Sequence, residues 1–184
     1  LDAALCQRAL YTGVDSVSHA ALAANSPPHQ AQSHAVRAGV NEVLLNGNLR
    51  GKPTLMLAGR SDALLPINNS ERAYAAYNRS VEGSGSKLRY IEVTNAQHFD
   101  TFNAFSGFDT RFVPLHSYFV QAMNAMYANL KSGTALPPSQ VVRTTARGGA
   151  AGAAPAITAA NVPAISASPV AADQIGFAGT ALSV

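Results

Sequence analysis

One short segment does most to limit the folds open to this chain: Pro53-Thr54-Leu55-Met56-Leu57-Ala58, held between Gly51 and Gly59. A continuous apolar run of that length, bounded by glycines, reads as a strand covered on both faces, the habit of parallel sheets flanked by helices. A second strand is predicted at 88–93, where Leu88-Arg89-Tyr90-Ile91-Glu92-Val93 alternates. Between them, 68–80 reads as a helix with Ala73, Tyr74 and Tyr77 on one side, followed by a flexible Gly83-Ser84-Gly85-Ser86 turn. A longer helix is predicted over 112–130, because Leu115, Phe119, Met123, Met126 and Leu130 recur at spacings of three and four and read as core. Strand–helix–strand–helix is the grammar of an α/β fold with a doubly wound parallel sheet.

The flanks are less regular. Residues 2–11 read as a short helix with Leu5 and Leu10 inward and Gly13 as its stop. Ser18 to Ala24 has the composition for two helical turns before Pro27-Pro28 interrupts. A helix follows at 30–46, with Val36, Val40, Val43 and Leu44 as its apolar positions and Asn46-Gly47-Asn48 as its end. Pro137-Pro138 is expected to close the folded region, and the composition divides the chain into 1–147 and a low-complexity tail, 148–184. Within the tail Asp173 is the one charge and Pro155-Ala156-Ile157 recurs as Pro163-Ala164-Ile165, which suggests an extended strap, ordered or not.

Two turns carry chemistry. Gly59-Arg60-Ser61-Asp62 follows the first strand and Ala96-Gln97-His98-Phe99 follows the second. In open α/β sheets, sites form beyond the carboxyl ends of strands. If the two strands are neighbours, Asp62 and His98 meet across about one strand spacing, roughly 5 Å. A histidine acting as general base needs one ring nitrogen facing the nucleophile, and a carboxylate on the other nitrogen fixes that tautomer and stabilises the imidazolium. Acid before histidine, each ending a consecutive strand, is also the Ser…Asp…His order of α/β-hydrolases.

The longer strings Tyr90 to Asp100, Arg111-Phe112-Val113-Pro114-Leu115-His116 and Leu136 to Arg143 resemble the C-terminal part of bacterial D-3-hydroxybutyrate oligomer hydrolases. The resemblance runs from about Asp2 into the tail. It implies the C-terminal portion of an α/β-hydrolase-type sheet, a serine esterase cleaving 3-hydroxybutyrate oligomers to monomers, Asp62 and His98 as acid and base, no cofactor or metal, and an extracellular or periplasmic location. Tannases and feruloyl esterases resemble it less, since a disulfide-forming cysteine precedes their histidine where Gln97 stands here. No Gly-x-Ser-x-Gly elbow occurs in the 184 residues. The expectation is therefore that this chain does not turn over an ester alone. Its partners would be an N-terminal remainder of the same polypeptide, carrying the serine, and a small ester substrate. The alternative is a non-catalytic α/β binding or scaffold domain with a vestigial Asp–His pair.

Other residues weigh less. Arg60 and Arg111 are weak candidates for a substrate carboxylate, Ser61 reads as structural, and Asp100 as a helix cap. His19, His29, His34 and His116 fit no metal-ligand spacing. Cys6, the single cysteine, reads either as a small buried residue or as half of a disulfide. With 13 basic and 10 acidic residues spread along the chain and no Lys/Arg run, nucleic-acid binding is not expected, and no apolar stretch reaches a membrane span.

Overall fold

The computed structural model describes residues 2–21, 27–179 and 181–183. They fall into two compact units, Leu1–Asn46 and Gly47–Val184. The compositional change at 147/148 thus lies inside the second unit, whose tail is built into it.

In the first unit α1 spans Asp2–Thr12 and α2 spans Pro27–Val43. Gly13, with φ 76°, ends α1 as expected, its amide reaching Ala9 O at 2.8 Å. α2 starts earlier than predicted, since two prolines suit a first turn whose amides have no intrahelical partner. It also stops three residues sooner than predicted, and Val43, Leu44 and Leu45 are exposed, so the last two apolar positions of the predicted helix are not covered. Ser18 to Ala21 is not helical. The Asp15 carboxylate accepts the amides of Val17 and Ser18, and Val14 bridges Ala21, which folds the segment into a turn. Leu22 to Ala24 lie outside the described residues. Cys6 is exposed, so the buried reading of it does not hold.

In the second unit, β1 (Thr54–Gly59), β2 (Leu88–Val93) and β3 (Gln140–Val142) form a parallel sheet in the order β1-β2-β3. The connections carry α3 (Glu71–Glu82) and α4 (His116–Ser132). Side chains alternate between two cores, one per face. Ala58, Leu88, Tyr90 and Val141 pack with Ala75 of α3, while Ile91, Val93 and Val142 pack with Tyr118 of α4. Helices on both faces of a parallel sheet make this an α/β architecture.

Four expectations need correction. β1 is a half-buried edge of the described sheet, with only Ala58 and Gly59 fully covered. β2 does not alternate, because a central strand is covered on both faces; Arg89 alone is exposed. α3 turns Ala75 and Asn78 inward and leaves Ala73 and Tyr77 outside, because its inner face is fastened by polar contacts. α4 begins at His116, after Pro114, and buries Tyr118 and Ala122; Leu115 packs against the core and Met126 is half-buried, but Phe119, Met123 and Leu130 are exposed, so most of the stripe read as core faces outward.

The folded region also continues past Pro137-Pro138, through β3 and a tail that runs over both faces as a strap. Val162 and Ile165 reach the α4-side core, and Ile175, Phe177 and Leu182 reach the α3-side core. Gln140 holds the crossing by exchanging two hydrogen bonds, 2.8 and 2.9 Å, with the backbone of Ser166. Arg143 pairs with Asp173, and β4 (Gly176–Ala178) with β5 (Ala181–Ser183) closes the tail as an antiparallel pair. Among the described residues no helix is long and apolar enough to cross a membrane.

Candidate functional site

Beyond the carboxyl ends of β1 and β2 the backbone runs into two interlocked turns. Arg60 N donates to Val93 O at 2.8 Å and Ser61 N to Ala96 O at 3.0 Å, so the turn after β1 is hydrogen-bonded to the end of β2 and the turn after it. The crossing is close enough to require glycine: a Cβ on Gly59 would sit 2.6 Å from Ala96 O and 2.9 Å from Ala96 C. Gly59→Ala is expected to cost about 1–3 kcal/mol by overpacking and to pull the two turns apart, read as a lowered urea midpoint with a displaced His98 ring resonance.

The second turn is braced from β3. Asn95 takes the left-handed conformation, φ 54°, and its side-chain amide donates to Thr144 O at 3.1 Å. Thr144 also donates to Thr94, through its amide at 2.8 Å and its hydroxyl at 2.5 Å. Val113 N donates to Asn95 O at 2.8 Å. Next along, Asp100 accepts the amides of Leu115 and His116 at 2.7 and 2.8 Å, capping α4 as expected. His98 therefore stands on a turn fixed at both ends.

These turns bring Asp62 and His98 together. The Asp62 Oδ1 accepts the amides of Leu64 and Leu65 at 2.8 and 2.9 Å, and Oδ2 lies 2.7 Å from His98 Nδ1. The Asp62 side chain is 5% exposed and that of His98 28%. Burial alone would raise the Asp62 pKa, but the hydrogen bonds from Leu65, His98 and Leu64 outweigh it and hold the carboxyl below its ordinary value. An ionised Asp62 with one oxygen committed to the backbone leaves the other to receive Nδ1–H. That places the basic lone pair of His98 on Nε2. Such a pair can take and return a proton at Nε2.

His98 lines a shallow cleft of about 340 Å³ with Leu57, Phe99, Leu115, His116 and Phe119. Its ring meets Phe99 edge-on at 4.3 Å. The sequence alone points to Phe119 only as part of an apolar helix stripe and to His116 only as a metal-ligand candidate, yet both fall in the first turn of α4 and form this apolar wall. A separate cavity of about 210 Å³, lined by Asn78, Arg79, Arg89 and Phe177, includes the start of β2 and lies away from the pair.

The two arginines are placed differently. Arg60 Nε lies 3.5 Å from Glu92, a fully buried carboxylate of β2 that also takes a two-pronged grip from Arg72 at 2.6 and 2.7 Å. Arg60 is thus tied to the sheet beside the acid turn. Arg111 is exposed, and its guanidinium has no partner among the described residues. Ser61 carries its turn through the backbone, as noted. Among the described residues no group of three His, Cys, Asp or Glu side chains is placed to hold a metal.

The sequence model of one family, 3HB-oligomer hydrolase, matches residues 1–184. Proteins named D-(-)-3-hydroxybutyrate oligomer hydrolase are similar to this chain throughout. That of Paracidovorax citrulli is 50% identical over 188 aligned positions, covering 100% of this chain and 24% of its own length. The Ralstonia pickettii protein is 55% identical over 95% of this chain and 22% of its own length. The Polaromonas naphthalenivorans protein is 51% identical over 98% of this chain and 24% of its own length. The chain thus spans about a quarter of the length of these relatives. No solved structure matches it at a significant level.

Proposed function

The chain belongs to the 3HB-oligomer hydrolase family, and from that premise we propose that it supplies the acid and the general base of a serine-type ester hydrolase. The observation that carries the reading is the 2.7 Å contact between His98 Nδ1 and an Asp62 whose other oxygen is anchored on two backbone amides. A serine Oγ from the rest of the polypeptide attacks the ester carbonyl of a 3-hydroxybutyrate oligomer, and His98 Nε2 takes its proton. The protonated His98 returns that proton to the departing alcohol oxygen, leaving an acyl-enzyme. Water, deprotonated by the same nitrogen, then attacks the acyl-enzyme, and His98 returns that proton to the serine Oγ as the acid departs. Asp62 stabilises the imidazolium in both halves and is never itself protonated. The sheet belongs, in this reading, to an α/β-hydrolase-type fold completed by chain that these 184 residues do not include. The half-buried edge of β1 and the exposed Phe119–Met123–Leu130 stripe of α4 support that, since both are surfaces a larger domain would cover.

The test is covalent labelling of the full-length polypeptide with a serine-directed alkyl phosphonate, followed by peptide mapping. The adduct is expected on a serine outside these residues, with Asp62→Asn slowing its formation at least about 100-fold. An adduct on Ser61, or equal labelling of the Asp62 variant, would refute the assignment.

A further inference from the structure

From Phe99 to Phe108 the chain is a run of tight turns in which every third residue is phenylalanine, and Phe112 follows four residues later. Phe102 N donates to Phe99 O at 3.1 Å, Phe105 N to Phe102 O at 3.0 Å, and Phe108 N to Phe105 O at 2.9 Å. Repeated three-residue turns bring side chains at i and i+3 into line. The rings accordingly form one row, with centroid steps of 5.7 Å from Phe99 to Phe102, 6.0 Å to Phe105, 6.3 Å to Phe108 and 5.3 Å on to Phe112. Its near end touches the His98 ring, and three of its rungs are open: Phe99 is 53% exposed, Phe105 55% and Phe108 37%, while Phe102 and Phe112 are half-buried. Arg111, whose guanidinium has no partner among the described residues, stands in sequence between the last two rungs.

We infer that this row is the track on which the oligomer lies, on the alcohol side of the ester to be cut. The inference rests on the function proposed above. A 3-hydroxybutyrate unit presents a methyl and a methylene beside each ester, an aliphatic surface that a phenyl face covers well. It has four main-chain bonds against the three of an α-amino acid, so by proportion it extends about 4.5–5 Å, close to one rung per unit. An oligomer carries its free carboxylate at the end reached from the alcohol side, which is the end that would meet Arg111. His98, at the head of the track, then stands beside the oxygen it must protonate.

The test uses full-length enzyme with Phe105→Ala and Phe108→Ala together, assayed on 3-hydroxybutyrate dimer and tetramer. The tetramer KM is expected to rise about tenfold or more while dimer turnover changes no more than about twofold. Phe105→Leu with Phe108→Leu should restore most of the loss. Equal losses on both lengths, with a lowered Tm, would mean that the row is covered by another part of the protein; no change on either would mean that it is idle. Both overturn the inference. Tetramer binding to the His98→Ala protein by calorimetry separates this from the catalytic assignment. If that protein still turns over substrate, the acid–base reading fails; if it is inert and binds tetramer equally well with and without Phe105 and Phe108, the track fails.

Discussion

Replacing His98 with alanine in the full-length polypeptide is expected to lower oligomer turnover by about 10⁴-fold or more, with Tm unchanged within a few degrees. The asymmetry follows from the geometry. The imidazole makes one hydrogen bond, to Asp62, and 28% of its side chain is exposed, so the fold loses about 1 kcal/mol or less. In the proposed mechanism the reaction loses its proton carrier. Asp62→Asn should be nearly as damaging, because an amide NH₂ at that position would oppose Nδ1–H and favour the wrong tautomer. Turnover within tenfold of the parent in either variant would remove the pair from the mechanism. The pH dependence has a definite sign. Since the folded pKa of Asp62 lies below its ordinary 3.8, the stability it contributes is complete above that value and disappears as pH falls through the lowered one. A loss of activity that begins above about pH 5 therefore belongs to another group.

Arg72→Met, on α3, is expected to destabilise the fold by about 3 kcal/mol, because it strands a carboxylate of β2 already out of water. Glu92 has a fully buried side chain, and both of its oxygens are held by Arg72, at 2.6 and 2.7 Å. Arg60, at 3.5 Å, remains as a weaker partner and keeps the cost toward the lower end of the range for broken buried pairs. Combining Arg72→Met with Glu92→Leu should recover most of the stability, because the charge and its desolvation are removed together. Urea denaturation of the parent, single and double variants measures both numbers. A single variant as stable as the parent would show that Glu92 is not held by Arg72. The double variant carries a second reading, since Arg60 loses its anchor two residues before Asp62: a stable double variant with impaired turnover would assign Glu92 to positioning the acid turn.

The parts of this molecule legible in the sequence are those that local chemistry decides. Gly59 marks the end of β1 and the start of a turn, and Asp62 and His98 follow their strands at distances that topology converts into contact. Which side of a helix faces the sheet is a different matter. Periodicity finds an apolar stripe, but α4 puts Tyr118 and Ala122 against the strands and leaves the richer stripe of Phe119, Met123 and Leu130 outside. On α3 the inner face is carried by Arg72 and Asn78, polar residues that binary patterning assigns to water. β3 has only three residues after two prolines, too little for any local signal. It exists because β2 offers a partner and because Ser139, Gln140 and Thr144 bond across to β2, its following turn and the tail. The strap shows the same limit: Ala, Pro and Ser specify an extended chain, while Gln140 and Gln121 decide where it lies.

The three-residue spacing of the phenylalanine turns has a consequence for how this loop can change over evolutionary time. Surface loops ordinarily absorb insertions and deletions more easily than the elements they join. Here the rings from Phe99 to Phe108 are aligned by counting, so one residue added among them would rotate the rungs after it by about 120° relative to those before it. Among the spacers Asp100 is held by its cap on α4 and Gly107 by a φ of 85°, whereas exposed positions such as Thr101 and Ala104 are free to drift in composition. The segment should behave like a reading frame, lenient toward exchange at Thr101 or Ala104 and strict about length. A single-residue insertion after Ala104 is the corresponding laboratory frameshift: it leaves His98 and Asp62 in place and puts Phe105 and Phe108 out of phase with Phe102.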